Sequence, residues 1–211
     1  MGGRRLPRRV LGAAFGAAAW ACCGIADAQG PTGPLTVLRM DASTHARVCN
    51  EFAVNGNYSD AAVTRCTRAL REERDNRANL IITHMNRGNI HMGRREPELA
   101  LADFNAVVEL DETNAEARLN KGVAMVMLQN YGPAIAVLTE ALGLGVSEPH
   151  KAYYTRAAAR EALGDQRGAL EDYTTALAIR PDWGLADAEM QRIARLRQER
   201  LAQHLEDPPL Q

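Results

Sequence analysis

Cysteine pairs and clustered histidines are where this chain could hold a metal or carry redox or acid–base chemistry. Cys49 and Cys66 lie 17 residues apart, so they form no C-x-x-C redox or zinc motif. His84 and His91 are separated by seven residues, which on a helix is two turns and about 10 Å of rise, too far for one ion to bridge. No H-x-x-x-H pair and no third clustered ligand accompanies them. The nucleophile elbow G-x-S-x-G and the phosphate loop G-x-x-x-x-G-K-S/T are also missing. Adjacent acids such as Asp111-Glu112 and Glu171-Asp172 fit helix ends and solvated faces. The sequence therefore leads one to expect no catalytic residue, no metal and no cofactor, with both histidines serving packing.

The residues that carry information are organised around a different problem, beginning with export. Arg4, Arg5, Arg8 and Arg9 precede an uncharged run from Val10 to Ala26, and Ala26-Asp27-Ala28 supplies the small residues of a cleavage site. This reads as a signal peptide over 1–28, cut before Gln29, with a retained membrane anchor as the competing reading. Arg8-Arg9-Val10-Leu11 is a faint twin-arginine signal and Ala21-Cys22 a faint lipoprotein box. The expected location is periplasmic or secreted, with no stable membrane span after cleavage. Cleavage would remove four arginines and one aspartate, taking the formal charge of the 211-residue chain from −1 to −4. That balance argues against nucleic acid as a partner, because such binding depends on clustered basic residues. Cys22 and Cys23 would leave with the signal, so Cys49 and Cys66 remain as a pair: a disulfide in an oxidising compartment, or two buried thiols.

Self-similarity appears on stepping back along the chain from Ala157, Ala169, Tyr173, Ala176 and Ile179. Thirty-five residues earlier stand Gly122, Ala134, Leu138, Ala141 and Leu144, and 34 before those stand Gly88, Ala100, Phe104, Val107 and Leu110. The order of small, small, large, small or medium, and aliphatic recurs in register. A looser copy, Asn50, Ala62, Cys66 and Ala69, keeps the internal spacings of 12, 4 and 3 but sits 38 residues before Gly88. Two small residues on neighbouring helices let their backbones approach, and a large residue four positions on fills the space beside them. Gly164-Asp165 breaks the chain between helices and Pro181 ends the second one.

This period and order resemble the tetratricopeptide repeat, a helix-turn-helix unit. The resemblance implies an all-α fold, an α-solenoid of one divergent and three full repeats with a C-terminal capping helix. The expected layout is a linker or N-terminal arm over 29–42 and repeats over about 43–80, 81–114, 115–149 and 150–183. A capping helix over 184–205 and a tail over 206–211 follow. Asp75 to Asn79 is expected as a slightly long connection. In the capping helix Ala186, Met190, Ile193, Ala194, Leu201 and Leu205 recur at helical spacing, opposite Arg192, Arg195 and Glu199.

Where the family has Leu before the first small residue, this chain has Arg87, Lys121 and Arg156. Arg87 lies 16 residues before Asp103, and Arg156 lies 16 before Asp172, which suggests ion pairs joining the two helices of a unit. The middle unit has Val137 in the acid's place and leaves Lys121 without one. In the first unit Cys49 takes the arginine phase and Cys66 the phase of Phe104 and Tyr173, so both should face the same helix–helix contact.

The resemblance also implies a concave groove lined by first helices, holding an extended peptide or helix of another protein. Carried over by phase, its residues are Met85, Asn89 and Met92, then Leu119, Val123, Val126 and Met127, then Tyr154, Ala158 and Glu161. Most are apolar, so the expected ligand is an apolar segment of a secreted protein, unless these side chains are core or covered by the arm or the capping helix. Some family members clamp a C-terminal carboxylate. Asn89, Asn120 and Lys151 stand at those phases, but Met85 and Thr155 occupy the two that need cations. The expected function is thus a non-catalytic interaction scaffold of the cell envelope; the alternatives are a structural self-association module, acting as a homo-oligomer, and, behind it, an enzyme without a recognisable motif.

Overall fold

The computed structural model describes residues 43–206, which form nine helices and, among those residues, no strand. The expected signal peptide, the arm over 29–42 and the tail beyond residue 206 lie outside the described residues. The helices are α1 Thr44–Val54, α2 Asp60–Glu72, α3 Arg77–Gly93, α4 Pro97–Leu110, α5 Ala115–Met127, α6 Tyr131–Gly143, α7 Pro149–Ala162, α8 Gln166–Ile179 and α9 Gly184–Glu206. Seven of these nine starts have a local cause. The side chains of Ser43, Ser59, Asn76, Asn114 and Asp165 accept from backbone N–H groups of the following turn, and Pro97 and Pro149 open their helices where a missing N–H is harmless.

Consecutive helices pair as hairpins, α1 with α2, α3 with α4, α5 with α6 and α7 with α8, and the hairpins stack in order into an α-solenoid. The 38-residue step between the first two units is not a long connection. Asn76 caps α3 at Arg77, so the extra residues become helix, and α3 has 17 residues where α5 has 13. Within every hairpin the turn uses one left-handed residue: Gly56, Arg95, Gln129 and Gly164 have φ of 64°, 65°, 59° and 85°. Glycine meets that need in two units, and the other two hold a side chain in a conformation L-residues rarely adopt.

The recurring small residues are contact points. Ala62, Ala100, Ala134 and Ala169 are fully buried, as are Phe104 and Leu138, and Tyr173 is 1% exposed. A Cβ added to Gly88 would stand 2.6 Å from the Phe104 ring, and one added to Gly122 would stand 2.5 Å from Leu138 Cγ. In the fourth unit Ala157 and Tyr173 take these two places, both buried in one core. One apolar core runs from Met92 and Phe104 through Leu138 and Tyr154 to Trp183 and Ala186. Cys49, Ala62, Cys66 and Ile90 form a smaller one under the first unit. α9 packs on α8 and places Leu185, Met190 and Ile193 against the main core, closing its apolar end.

Gly122→Ala tests this contact. Replacing an interior helical glycine should gain up to about 1 kcal/mol, but overpacking against Leu138 costs about 1–3 kcal/mol. We expect a net loss in urea unfolding, whereas Gly143→Ala, with nothing within 4 Å of the new methyl, should be neutral or stabilising. Equal stabilisation by both would refute close approach at Gly122.

Candidate partner-binding face

Two arginines knit the array that carries this face. Arg87 Nε and Nη2 donate to Asp103 Oδ2 and Oδ1 at 2.9 and 2.7 Å, and His84 Nδ1 donates to Asp103 Oδ1 at 2.8 Å. The remaining Arg87 nitrogen, Nη1, donates to Thr67 Oγ1 on α2 of the preceding unit at 3.0 Å. Arg156 repeats the arrangement, with Asp172 at 2.9 and 2.8 Å and Thr139 Oγ1 on α6 at 2.9 Å, and Arg160 Nη1 adds a second cation to Asp172 at 3.0 Å. The structure thus brings together the residues expected to pair and adds a neighbour the spacing argument missed. Each threonine directly follows the large residue of its helix, Cys66 or Leu138, and that fixed offset was the available signal.

These carboxylates are nearly sealed, with Asp103 1% and Asp172 3% exposed. Burial works against charge on Asp103, yet hydrogen bonds from His84 and Arg87, with the attraction of the guanidinium, hold its carboxyl below the usual range. Its Asp172 hydrogen bonds raise the Arg156 pKa against the opposing effect of burial. In the third unit Lys121 and Val137 make no such node. Arg118 instead reaches Glu140 at 3.1 Å, with its Nη1 buried and unpartnered among the described residues.

In the first unit Cys49 and Cys66 are joined as a disulfide, with S–S 2.07 Å and Cα–Cα 4.8 Å, and both are 0% exposed. Among the described residues no group of three or more His, Cys, Asp or Glu is placed to hold a metal ion. His84 and His91 are tied to Asp103 and Glu96 respectively.

The ten groove residues divide sharply. Met92, Leu119, Val123, Val126, Tyr154 and Ala158 are at most 6% exposed. They are core side chains: Met92, Leu119, Val123 and Tyr154 belong to the continuous apolar core and Val126 to a smaller cluster beside it. Glu161 is held by Arg192 of α9 and, at 3.4 Å, by the Tyr173 hydroxyl. Asn89 is exposed, and Met85 and Met127 are partly so. The accessible floor is therefore narrower and more polar than the apolar trough the sequence led us to expect. Asparagine amides run along it: Asn86 Nδ2 donates to Asn50 Oδ1 at 3.1 Å, and Asn120 Nδ2 to Asn89 Oδ1 at 3.3 Å. At the carboxylate-clamp phases Lys151 is engaged by Glu148 at 2.7 Å, and Thr155 is fully buried with its hydroxyl on the Lys151 carbonyl.

Residues 150–182 match the family described as Tetratricopeptide repeat. The fourth hairpin thus matches a tetratricopeptide repeat, and the other three share its fold. Serine/threonine-protein phosphatase 5 of Rattus norvegicus is 33% identical over 94 residues, which are 44% of this chain and 19% of the phosphatase, so the chain spans about a fifth of that relative's length. Among solved structures, the crystal structure of MamA protein aligns with a TM-score of 0.59 at 22% identity, covering 79% of this chain and 96% of that one, and shares the fold. The second tetratricopeptide domain of human RPAP3, in complex with the HSP70 peptide SGPTIEEVD, aligns with a TM-score of 0.52 at 27% identity, covering 56% of this chain and 98% of that one. No described helix of the array is long and apolar enough to cross a membrane.

Two measurements check the joints. Asp103→Asn should cost roughly 2–4 kcal/mol at neutral pH by leaving Arg87 underpaired in a buried site. Because the folded carboxyl titrates below its unfolded value, the wild-type advantage exists above the unfolded pKa and fades as pH falls through the folded one. Urea melts should therefore show the two proteins converging in acid, and a pH-independent gap would contradict the assignment. For the cysteines, the unreduced, denatured protein should show no thiol from Cys49 or Cys66, and reduction should cost about 3 kcal/mol. Two reactive thiols there would refute the bond.

Proposed function

We propose that this protein is a non-catalytic interaction scaffold of the cell envelope, periplasmic or secreted, whose α1–α3–α5 face takes up an extended segment of another protein. The carrying observation is the row of asparagine amides on that face. Each carboxamide has two N–H donors and one carbonyl, and the pairs Asn50–Asn86 and Asn89–Asn120 use only one hydrogen bond apiece between their members. The groups left over match the alternating N–H and C=O of an extended backbone. Met85 and Met127 beside them offer flexible apolar contact to varied side chains. That the RPAP3 domain of similar fold is in complex with a peptide supports the same use here. Recognition of a C-terminal carboxylate is the weaker reading, since the cation at its phase, Lys151, already has Glu148.

The envelope location rests on the arginine-rich, then apolar, then Ala-x-Ala start of the sequence, and the Cys49–Cys66 disulfide is in keeping with an oxidising compartment. Two experiments test the reading. A photo-crosslinker at Asn89 should capture another polypeptide in vivo while one at Ala136, exposed on α6, should not, and Asn120→Ala should weaken the captured segment's affinity about tenfold. Capture from Ala136 alone would overturn the site. The mature protein should begin at Gln29 in the envelope fraction, and an intact Met1 in the cytosol would overturn the location.

A further inference from the structure

The joints between successive units are not alike. At the first, Arg87 of α3 binds both its own Asp103 and Thr67 of the unit before. At the last, Arg156 of α7 does the same with Asp172 and Thr139. Each places one guanidinium across three helices, and because its hydrogen bonds are directional it fixes translation and rotation of one unit on the next. At the middle joint the corresponding residues are Lys121, Val137 and, after Phe104, Asn105. No hydrogen bond or ion pair joins them among the described residues.

A second difference is independent of the first. The backbones of adjoining first helices come close at the outer joints, α1 to α3 and α5 to α7, whereas α3 and α5 approach less closely. What holds the middle joint is the α4–α5 contact and the continuous apolar core running through Phe104 and Leu119. Across the groove floor one amide hydrogen bond, Asn120 to Asn89 at 3.3 Å, spans it. Apolar contact is non-directional and allows packed helices to shear, while a directional hydrogen bond to Thr67 or Thr139, from a guanidinium already held by its own unit's aspartate, resists it.

We propose that the solenoid is built as two clamped pairs of units, the first with the second and the third with the fourth, hinged at the α4–α5 seam. Motion there changes the separation of Asn89 and Asn120, so on the reading of the amide face given above the hinge sets how wide a segment the face accepts. The hinge itself is independent of any ligand and is tested without one. Spin labels are attached through ketone side chains, leaving the disulfide alone, at Arg65 and Glu109 within the first pair and at Glu109 and Arg167 across the middle joint. All three positions are exposed. The distance distribution across the middle joint should be broader than that within the pair. Installing the missing clamp, Asn105→Thr with Lys121→Arg and Val137→Asp, should narrow it to the within-pair width. Conversely, Thr67→Val with Asp103→Asn should broaden the within-pair distribution. Equal widths in the wild-type protein overturn the proposal whether or not the triple variant folds. A folded triple variant with an unchanged width overturns it as well. Loss of capture at Asn89 with the hinge intact would count against the amide face and leave the hinge standing.

Discussion

Everything in this array depends on how closely two helix backbones can approach at one point in each hairpin. Gly88 and Gly122 lie where there is no room for a Cβ between the first helix and Phe104 or Leu138 on the second, and Ala157 and Tyr173 take the same places in the fourth unit. Once that point is fixed, helical geometry fixes the rest. The residue before the small one faces the residue before the large one, which is why Arg87 meets Asp103 and Arg156 meets Asp172. The residue after the large one in the preceding unit comes within reach of the same guanidinium. Burial of the large side chains, about 1.5–3 kcal/mol each, supplies the stabilisation. The buried ion pairs contribute less net energy than their geometry suggests, because desolvation offsets most of it.

The first unit shows what happens when the contact is degraded. Asn50 replaces the small residue and Cys66 the large one, and its core shrinks to a cluster of Cys49, Ala62, Cys66 and Ile90. A cross-link occupies the place where the other units have a guanidinium or an apolar contact, restricting the unfolded chain rather than adding buried area. Polar ties do the rest. Glu73 accepts from the Ser43 backbone and from Asn79 at 2.9 Å, and Arg94 reaches Asp60 and the Tyr58 carbonyl at 2.8 and 2.9 Å.

Residues that act through fixed helical offsets were legible in the sequence, and residues whose role depends on curvature were not. The repeat, the hairpins and the arginine–aspartate pairs all follow from period and phase. Whether Val123 or Tyr154 faces a trough or a seam depends on how tightly successive first helices stack, and no single-chain periodicity encodes that distance. Both are 1% exposed. The extra turn of α3 was hidden for a related reason. Asn76 and Asn79 read equally well as loop residues, and only the cap from the Asn76 side chain to the Asn79 amide shows which use was made of them.

Sealing those apolar positions shifts the burden of recognition. A trough floored by leucine, valine and tyrosine would select ligands by the shape of their side chains. On the proposed reading, a floor of carboxamides flanked by methionine would meet the ligand's main chain instead, and main-chain hydrogen bonds are common to every sequence. Such a face gains affinity from an extended conformation and gains little discrimination from composition, since methionine adapts to many apolar partners. Selectivity must then come from geometry, meaning the distance over which the amides are spread. On the proposed hinge that distance would be set at the middle seam, where the array lacks its guanidinium clamp and one amide hydrogen bond accompanies apolar contacts with no preferred direction.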